Sequence, residues 1–306
     1  MNPLRGITLK IMSAVAFVVM ASLVKQVSGT IPAGEAVFFR SLFAMPVIFI
    51  WLAMRGEVRG GIRTVRPMGH FFRGFAGTAA MGFGFAGLGL LPLPEVTAIG
   101  YASPLLTVVF AAMFLNETVG PFRIGMVLVG LVGVIIVLSP RLGVAGGDLT
   151  TAQMLGATVT LMGAVCGALA QVFVRKMVAV EKTSAIVFWF SFTSAVLSLA
   201  TIPFGWAIPG PLTLCLLILT GLCGGIGQIL LTSSYRHADA SLIAPFEYSS
   251  MLFALMIGYF VFAEVPTAAM LIGAAIIIAA GIGIILRERY LGLNRADQRK
   301  STTPQG

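Results

Sequence analysis

Ten long apolar runs alternate with short polar joints along the chain, near residues 7–27, 34–54, 68–90, 94–115, 120–138, 153–174, 184–204, 212–233, 241–262 and 266–286. Each approaches or exceeds the roughly 20 residues with which a helix crosses a bilayer. A spanning barrel strand would alternate apolar and polar positions over about ten residues, whereas stretches such as IIIAAGIGIIL (276–286) never alternate. The pattern therefore predicts ten membrane helices. Proline-rich joints, LPLPE at 91–95 and IPGP at 208–211, mark several boundaries. The first run leads into Lys25 and Gln26 without a small-residue cleavage site, so it is expected to persist as a helix and not to be removed as a signal peptide.

Composition narrows the class further. Of 306 residues, 58% are hydrophobic and 10% charged, with a mean hydropathy of +0.99, against roughly 25% charged residues in soluble domains. Ten crossings leave no room for a sizeable soluble domain. The formal charge of +9 sits in the joints between apolar blocks, where it orients a membrane protein, and no nucleic-acid partner is expected. With the N-terminus inside, 17 of the 20 Lys and Arg residues fall on the cytoplasmic side and only Lys25, Arg40 and Arg141 do not. That asymmetry predicts both termini in the cytoplasm. The three cysteines, Cys166, Cys215 and Cys223, form no metal-type cluster. Cys215 and Cys223 stand roughly 12 Å apart along one helix axis, too far for a disulfide. No metal and no cofactor is expected.

The two halves repeat. Slid by 150 residues, MSAVAFVVMASLVKQV (12–27) lies over MGAVCGALAQVFVRKM (162–177), placing Lys25 on Arg175, and VFFRS (37–41) lies over VFWFS (187–191), placing Arg40 on Phe190. With small gaps the register continues: Gly74 and Gly77 fall on Gly221 and Gly224, Tyr101 on Tyr248, Ser103 on Ser250, Glu117 on Glu264, and Gly125 and Gly133 on Gly273 and Gly281. Each half holds five helices, an odd number, so the second enters the membrane from the opposite side. Residues 1–138 and 151–286 are thus expected to be inverted repeats, joined outside the membrane by 139–150 and followed by a basic cytoplasmic tail, 287–306. Many secondary transporters are built this way, with the substrate site near the midplane between the halves.

The segments EAVFFRSLFAMP (35–46), HFFRGFAGTAAMGFGF (70–85), LPLPEVTAIGYASPLLTVVFAAMFLNE (91–117) and ASLIAPFEYSSMLFALMIGYFVFAEVP (240–266) resemble the drug/metabolite transporter superfamily, in the branch made of two EamA-type repeats. The resemblance covers nearly the whole chain. It implies a ten-helix carrier of the bacterial inner membrane. Similar proteins move amino acids, nucleobase-like metabolites, riboflavin or S-adenosylmethionine, some inward and some outward.

Polarity indicates which helices line a path, because a polar side chain that cannot face lipid must face protein or a wet cavity. Beyond Arg123, predicted helices 5 and 10 carry no charged or amide side chain in their cores and are expected to face lipid or a second subunit. The other eight hold the candidates Arg40, Arg73, Gln171, Trp189, Gln228, Tyr101, Glu247 and Tyr248. Glu247 leads, lying about seven residues into predicted helix 9, near 10 Å below the cytoplasmic surface at 1.5 Å per residue. It would bind a substrate amine or take up a proton during the cycle; the competing role is a fixed pair with Arg73. Arg40 lies at a similar depth from the opposite side and would hold an anionic group, or else snorkel towards Glu35. Arg73 and His70 read chiefly as interface anchors. The glutamines, tyrosines and Trp189 would supply amide, hydroxyl and stacking contacts to a flat ligand, or helix-to-helix hydrogen bonds.

One motif is a decoy. GFGFAG (82–87) matches the dinucleotide fingerprint by letter, but it lies inside an apolar helix and not between a strand and a helix. Pro104 and Pro245 fall within predicted helices 4 and 9, where they free backbone carbonyls for a cavity or simply kink the helix. A secondary transporter is the leading expectation. A membrane-embedded enzyme would need a nucleophile with its base or clustered metal ligands, and the chain has only His70 and His237. A sensory or structural protein would have no soluble domain through which to report.

Overall fold

A computed structural model describes residues 3–115, 120–141, 150–178, 180–237 and 244–301. Ten helical segments appear where the apolar runs predict them: α1 (Pro3–Val27), α2 (Ala33–Met54), α3 (Pro67–Leu90), α4a (Leu93–Gly100) with α4b (Ala102–Leu115), α5 (Pro121–Leu138), α6 (Thr151–Val178), α7 (Thr183–Ser198), α8 (Pro211–His237), α9 (Ser249–Phe262) and α10 (Ala268–Ser301). No strand occurs among the described residues. Eight segments, with α4a and α4b counted as one, are long and apolar enough to cross a membrane, and 246–262 is a shorter apolar helix. Prolines at the first position of α3, α5 and α8 suit helix starts, where the missing N–H has no partner to lose.

Helices 4 and 9 are both interrupted, near the two prolines that the sequence singles out. Helix 4 breaks at Tyr101 because Pro104 has no N–H for the Gly100 carbonyl and its ring crowds that oxygen. Helix 9 is α-helical only from Ser249, after a 3-10 turn over Ala244–Tyr248. Pro245 disfavours α geometry in the residue before it, and the expected start at 241 lies outside the described residues. Glu247 therefore belongs to the turn and not to the helix interior. Helix 7 also ends early, finishing in a 3-10 stretch, Leu199–Phe204, that closes on Gly205 at φ 90°. The helix of α10 continues through the expected tail as far as Ser301. Of the expected join at 139–150, Ser139–Arg141 forms a 3-10 turn, and 142–149 lie outside the described residues, as does Glu117.

The halves exchange helices. α1 lies along α8, and α3 lies along α6, its repeat-related image; α2 meets α8 as α7 meets α3. Three further contacts join counterparts: α2 with α7, α4a with α9, and α5 with α10. This reciprocity is the signature of two inverted five-helix repeats. The buried apolar residues fall into clusters at these crossings, with Ile99, Leu105, Val134 and Ile277 in one, Val24, Val37, Leu93 and Leu217 in another, and Ile48, Leu52 and Val187 in a third.

Helices α5 and α10 touch where Gly133 meets Gly273. A Cβ on either would fall 2.8 or 2.6 Å from the other's carbonyl oxygen, so only glycine permits the backbones to come this close. Their outer faces present Leu128, Val132, Ile135 and Ile272, as expected of helices turned towards lipid.

Candidate transport site

The two departures from regular helix meet. Tyr101 at the α4 break and Tyr248 at the head of α9 pack edge to face, with ring centroids 5.0 Å apart. These residues occupy equivalent positions in the two halves. The Tyr101 hydroxyl lies 2.6 Å from Ser250 Oγ and donates more weakly to the Tyr248 carbonyl at 3.4 Å. Ser250 Oγ in turn donates to the Glu247 carbonyl at 2.7 Å. Each half thus contributes an interrupted helix to one small knot of hydroxyl and carbonyl groups.

A second junction forms between α2, α3 and α7. The Phe190 ring of α7 lies under the Arg73 guanidinium, 3.5 Å from Cζ to the ring centre, and the Arg40 guanidinium stands 5.6 Å from the same centre. Arg40 and Arg73 enter from opposite ends of the bundle, each less than half-way along its helix, and their long side chains converge. The Nε and Nη1 atoms of both are buried without a hydrogen-bond partner among the described residues. A cation–π contact is worth about 0.5–2 kcal/mol, whereas leaving a buried charge unpaired costs several kcal/mol. Phe190 alone does not balance the pair. The small residues that admit the guanidiniums are repeat-related: a Cβ on Gly77 would fall 2.5 Å from Arg73 Nη1, and one on Gly224 would fall 2.8 Å from Arg40 Nε.

These positions correct four expectations. Arg73 is not an interface anchor, because its guanidinium lies on Phe190. It does not pair with Glu247, whose carboxylate meets Lys10 Nζ at 3.4 Å and is 49% exposed. Glu247 is therefore a residue of the bundle's end and not of its interior. Arg40 does not reach Glu35, whose Oε2 accepts the Ala207 amide at 2.9 Å.

Trp189 is also more constrained than a free stacking platform. Its indole N–H donates to the Ile62 carbonyl at 2.9 Å, and its ring packs on His70, Phe188 and Phe192. Nearby, Glu181 Oε1 accepts Thr64 Oγ1 and the amides of Val65 and Arg66, each at 2.7 Å, with His70 Nε2 at 3.5 Å. Burial pushes the Glu181 carboxyl upward, but these hydrogen bonds outweigh it and hold the group below the ordinary carboxylate value. This clasp joins the α2–α3 and α6–α7 connections. Gln171 is exposed and Gln228 partly so.

At the other end, Lys25 Nζ meets Glu264 Oε1 at 2.9 Å and donates to the carbonyls of Leu88 at 3.2 Å and Leu91 at 2.7 Å. Glu264 Oε2 accepts the Leu93 amide at 2.9 Å. The turn at Ala263, φ 54°, brings Glu264 there. Lys10, Lys25, Glu264 and Phe190 were absent from the sequence-derived candidates. The repeat register offered a signal for two of the contacts, since it places Phe190 on Arg40 and singles out Glu264.

Among the described residues, no group of His, Cys, Asp or Glu gathers that could hold a metal ion. The GFGFAG stretch lies wholly within α3, and a Cβ on its Gly87 would collide with Thr160 Oγ1 of α6. Helix packing accounts for Gly87, whereas a Cβ on Gly82 or Gly84 would meet nothing within 4 Å.

Residues 4–139 and 154–286 each match the EamA-like transporter family. The chain is 31% identical over 283 residues to the pseudopaline exporter CntI of Pseudomonas aeruginosa, covering 91% of this chain and 95% of that one. It is 29% identical over 255 residues to the S-adenosylmethionine uptake transporter of Rickettsia bellii, covering 83% and 84%, and 26% identical over 261 residues to the riboflavin transporter of Rhizobium johnstonii, covering 84% and 82%. A solved structure superposes with a TM-score of 0.64 at 21% identity, covering 93% of this chain and 98% of that one, which establishes the shared fold. The family and these relatives point to a transporter and not to an enzyme. This chain is a multi-pass membrane protein and belongs to the EamA-like transporter family.

Proposed function

We propose that this chain is a secondary transporter that carries a small organic metabolite across the bacterial cytoplasmic membrane by alternating access. The observation that carries this reading is the meeting of two interrupted helices, at Tyr101 and Tyr248, from equivalent positions of the two halves. Interrupted helices at the repeat interface free backbone groups for a ligand, while the rest of the bundle stays fully hydrogen-bonded. Tyr101, Tyr248, Arg40 and Arg73 form the centre of the path. Gln171 and Gln228 supply amide contacts along it, Glu247 stands at one mouth, and Trp189 positions the helix ends around that mouth.

The relatives named above include an exporter and an uptake transporter, so they support the class of cargo better than its identity or direction. Counterflow in liposomes carrying the purified protein tests the reading. Labelled S-adenosylmethionine, riboflavin, aromatic amino acids and nucleosides would each be offered against an internal load of the same compound. Transient accumulation of at least one is expected. Absence of counterflow across the panel, together with no thermal stabilisation by any member, would sink the proposal.

A further inference from the structure

We propose that Arg40, Arg73 and Phe190 form a seat for a compact oxyanion, a carboxylate or phosphate group borne by the transported molecule. The inference rests on the transport reading and names a chemical class of cargo within it. Three observations carry it. Both guanidiniums converge on one ring, at 3.5 and 5.6 Å from its centre. Their Nε and Nη1 atoms are buried and unpartnered among the described residues, and Arg40 is only 3% exposed. The carboxylates of Glu35, Glu181, Glu247 and Glu264 are each engaged elsewhere.

Guanidinium groups stay charged in proteins and present a planar fork that matches carboxylate and phosphate oxygens. Two such forks beside an aromatic face suit an anion attached to an apolar or flat body, because the ring offers the body a surface while the forks take the charge. Gly77 and Gly224 leave the guanidiniums room. Arg73 as a whole is partly exposed whereas Arg40 is buried.

The test uses the full-length protein in a neutral maltoside detergent and pairs of probes that differ by one anionic group: riboflavin 5′-phosphate against riboflavin, and tryptophan against tryptophanamide. Benzoate and inorganic phosphate are added as bare anions, with chloride at equal ionic strength as the control. At least one probe bearing the anionic group is expected to raise the melting temperature more than its partner without that group does. In Arg40→Gln and in Arg73→Gln its Kd should weaken at least tenfold more than that of the partner lacking the anionic group, about 1.4 kcal/mol. The ligand-free variants should be no less stable than wild type, since each removes an unpaired buried cation. Gly77→Ala, which crowds Arg73 without removing charge, should weaken the same probe.

Equal stabilisation by both members of every pair would overturn the seat. So would loss of ligand-free stability in both arginine variants with no change in anion binding. Protection by phosphatidylglycerol but by none of the soluble anions would assign the arginines to a lipid headgroup and overturn it as well. Counterflow of a cargo lacking any anionic group, undiminished in Arg73→Gln, would remove the seat and leave the transport reading standing. Anion binding that depends on both arginines, without counterflow of any compound, would do the reverse.

Discussion

Lys25 and Glu264 stand 2.9 Å apart, and through them the end of α1, the α3–α4a corner and the end of α9 are tied into one cluster. Both side chains are mostly buried, at 16% and 14% exposure, so removing one charge strands the other. Glu264→Gln is expected to lower stability by about 1–3 kcal/mol, read from denaturant or thermal unfolding. A double change, Lys25→Met with Glu264→Leu, should recover much of that loss, because an apolar pair strands no charge. No loss in the single variant would contradict the tie.

The Tyr101 hydroxyl reaches across the repeat interface to Ser250. Tyr101→Phe should cost only about 0.5–1.5 kcal/mol of stability, because Ser250 keeps its bond to the Glu247 carbonyl and the ring packing on Tyr248 survives. Counterflow should fall by a larger factor than stability does, since the lost contact joins the two interrupted helices. Undiminished counterflow in a folded Tyr101→Phe protein would remove this contact from the path.

Glu247 and Arg73 contact different partners, Lys10 and Phe190. A double-mutant cycle on Glu247→Gln and Arg73→Gln is therefore expected to be additive within about 0.5 kcal/mol. The cycle of Glu247→Gln with Lys10→Met should show a coupling of about 1 kcal/mol, since Lys10 is buried but the Glu247 carboxylate is half-exposed and solvent-screened. A large Glu247–Arg73 coupling would restore the fixed pair that the structure replaces.

Glu181 links stability to pH. Its carboxyl is held below the ordinary carboxylate value, so the folded state binds its proton less readily than the unfolded chain does. The stabilisation it gives is complete above the unfolded value of about 4.3, and it is lost as pH falls through the lower folded value. Melting temperatures measured from pH 6 to pH 3 should fall less steeply in Glu181→Gln than in wild type. Parallel curves would place the acid sensitivity in other carboxylates.

The positions of the ten helices are readable in the sequence because run length and apolarity are local quantities. The break at Tyr101 is less so: Pro104 lies in an unbroken apolar run, and its effect appears one turn earlier, at the carbonyl it cannot serve. Glu247 illustrates how a small error in a helix start propagates. Counting from 241 places it deep in the bundle, whereas the 3-10 turn around Pro245 leaves it half-exposed beside Lys10. The convergence of Arg40 and Arg73 is hidden for another reason. They enter from opposite ends, and only the crossing of α2, α3 and α7 brings their side chains onto one ring. Trp189 has the chemistry of a ligand platform in the sequence, but its indole is committed to Ile62, a long-range bond that no local pattern announces.

The exchange of α1 and α6 between the halves bears on how the chain matures during synthesis. α1 leaves the ribosome first, yet the helix it lies along, α8, emerges only after most of the polypeptide has been made. Until then its inward face has only temporary neighbours, whether lipid, the insertion machinery or the other early helices. The first five helices on their own would present the grooves meant for α6 and α8 to the bilayer, and an isolated first half would have reason to seek another copy lying the opposite way up. Tethering the two halves in one polypeptide supplies that oppositely oriented mate at high local concentration and in fixed one-to-one proportion.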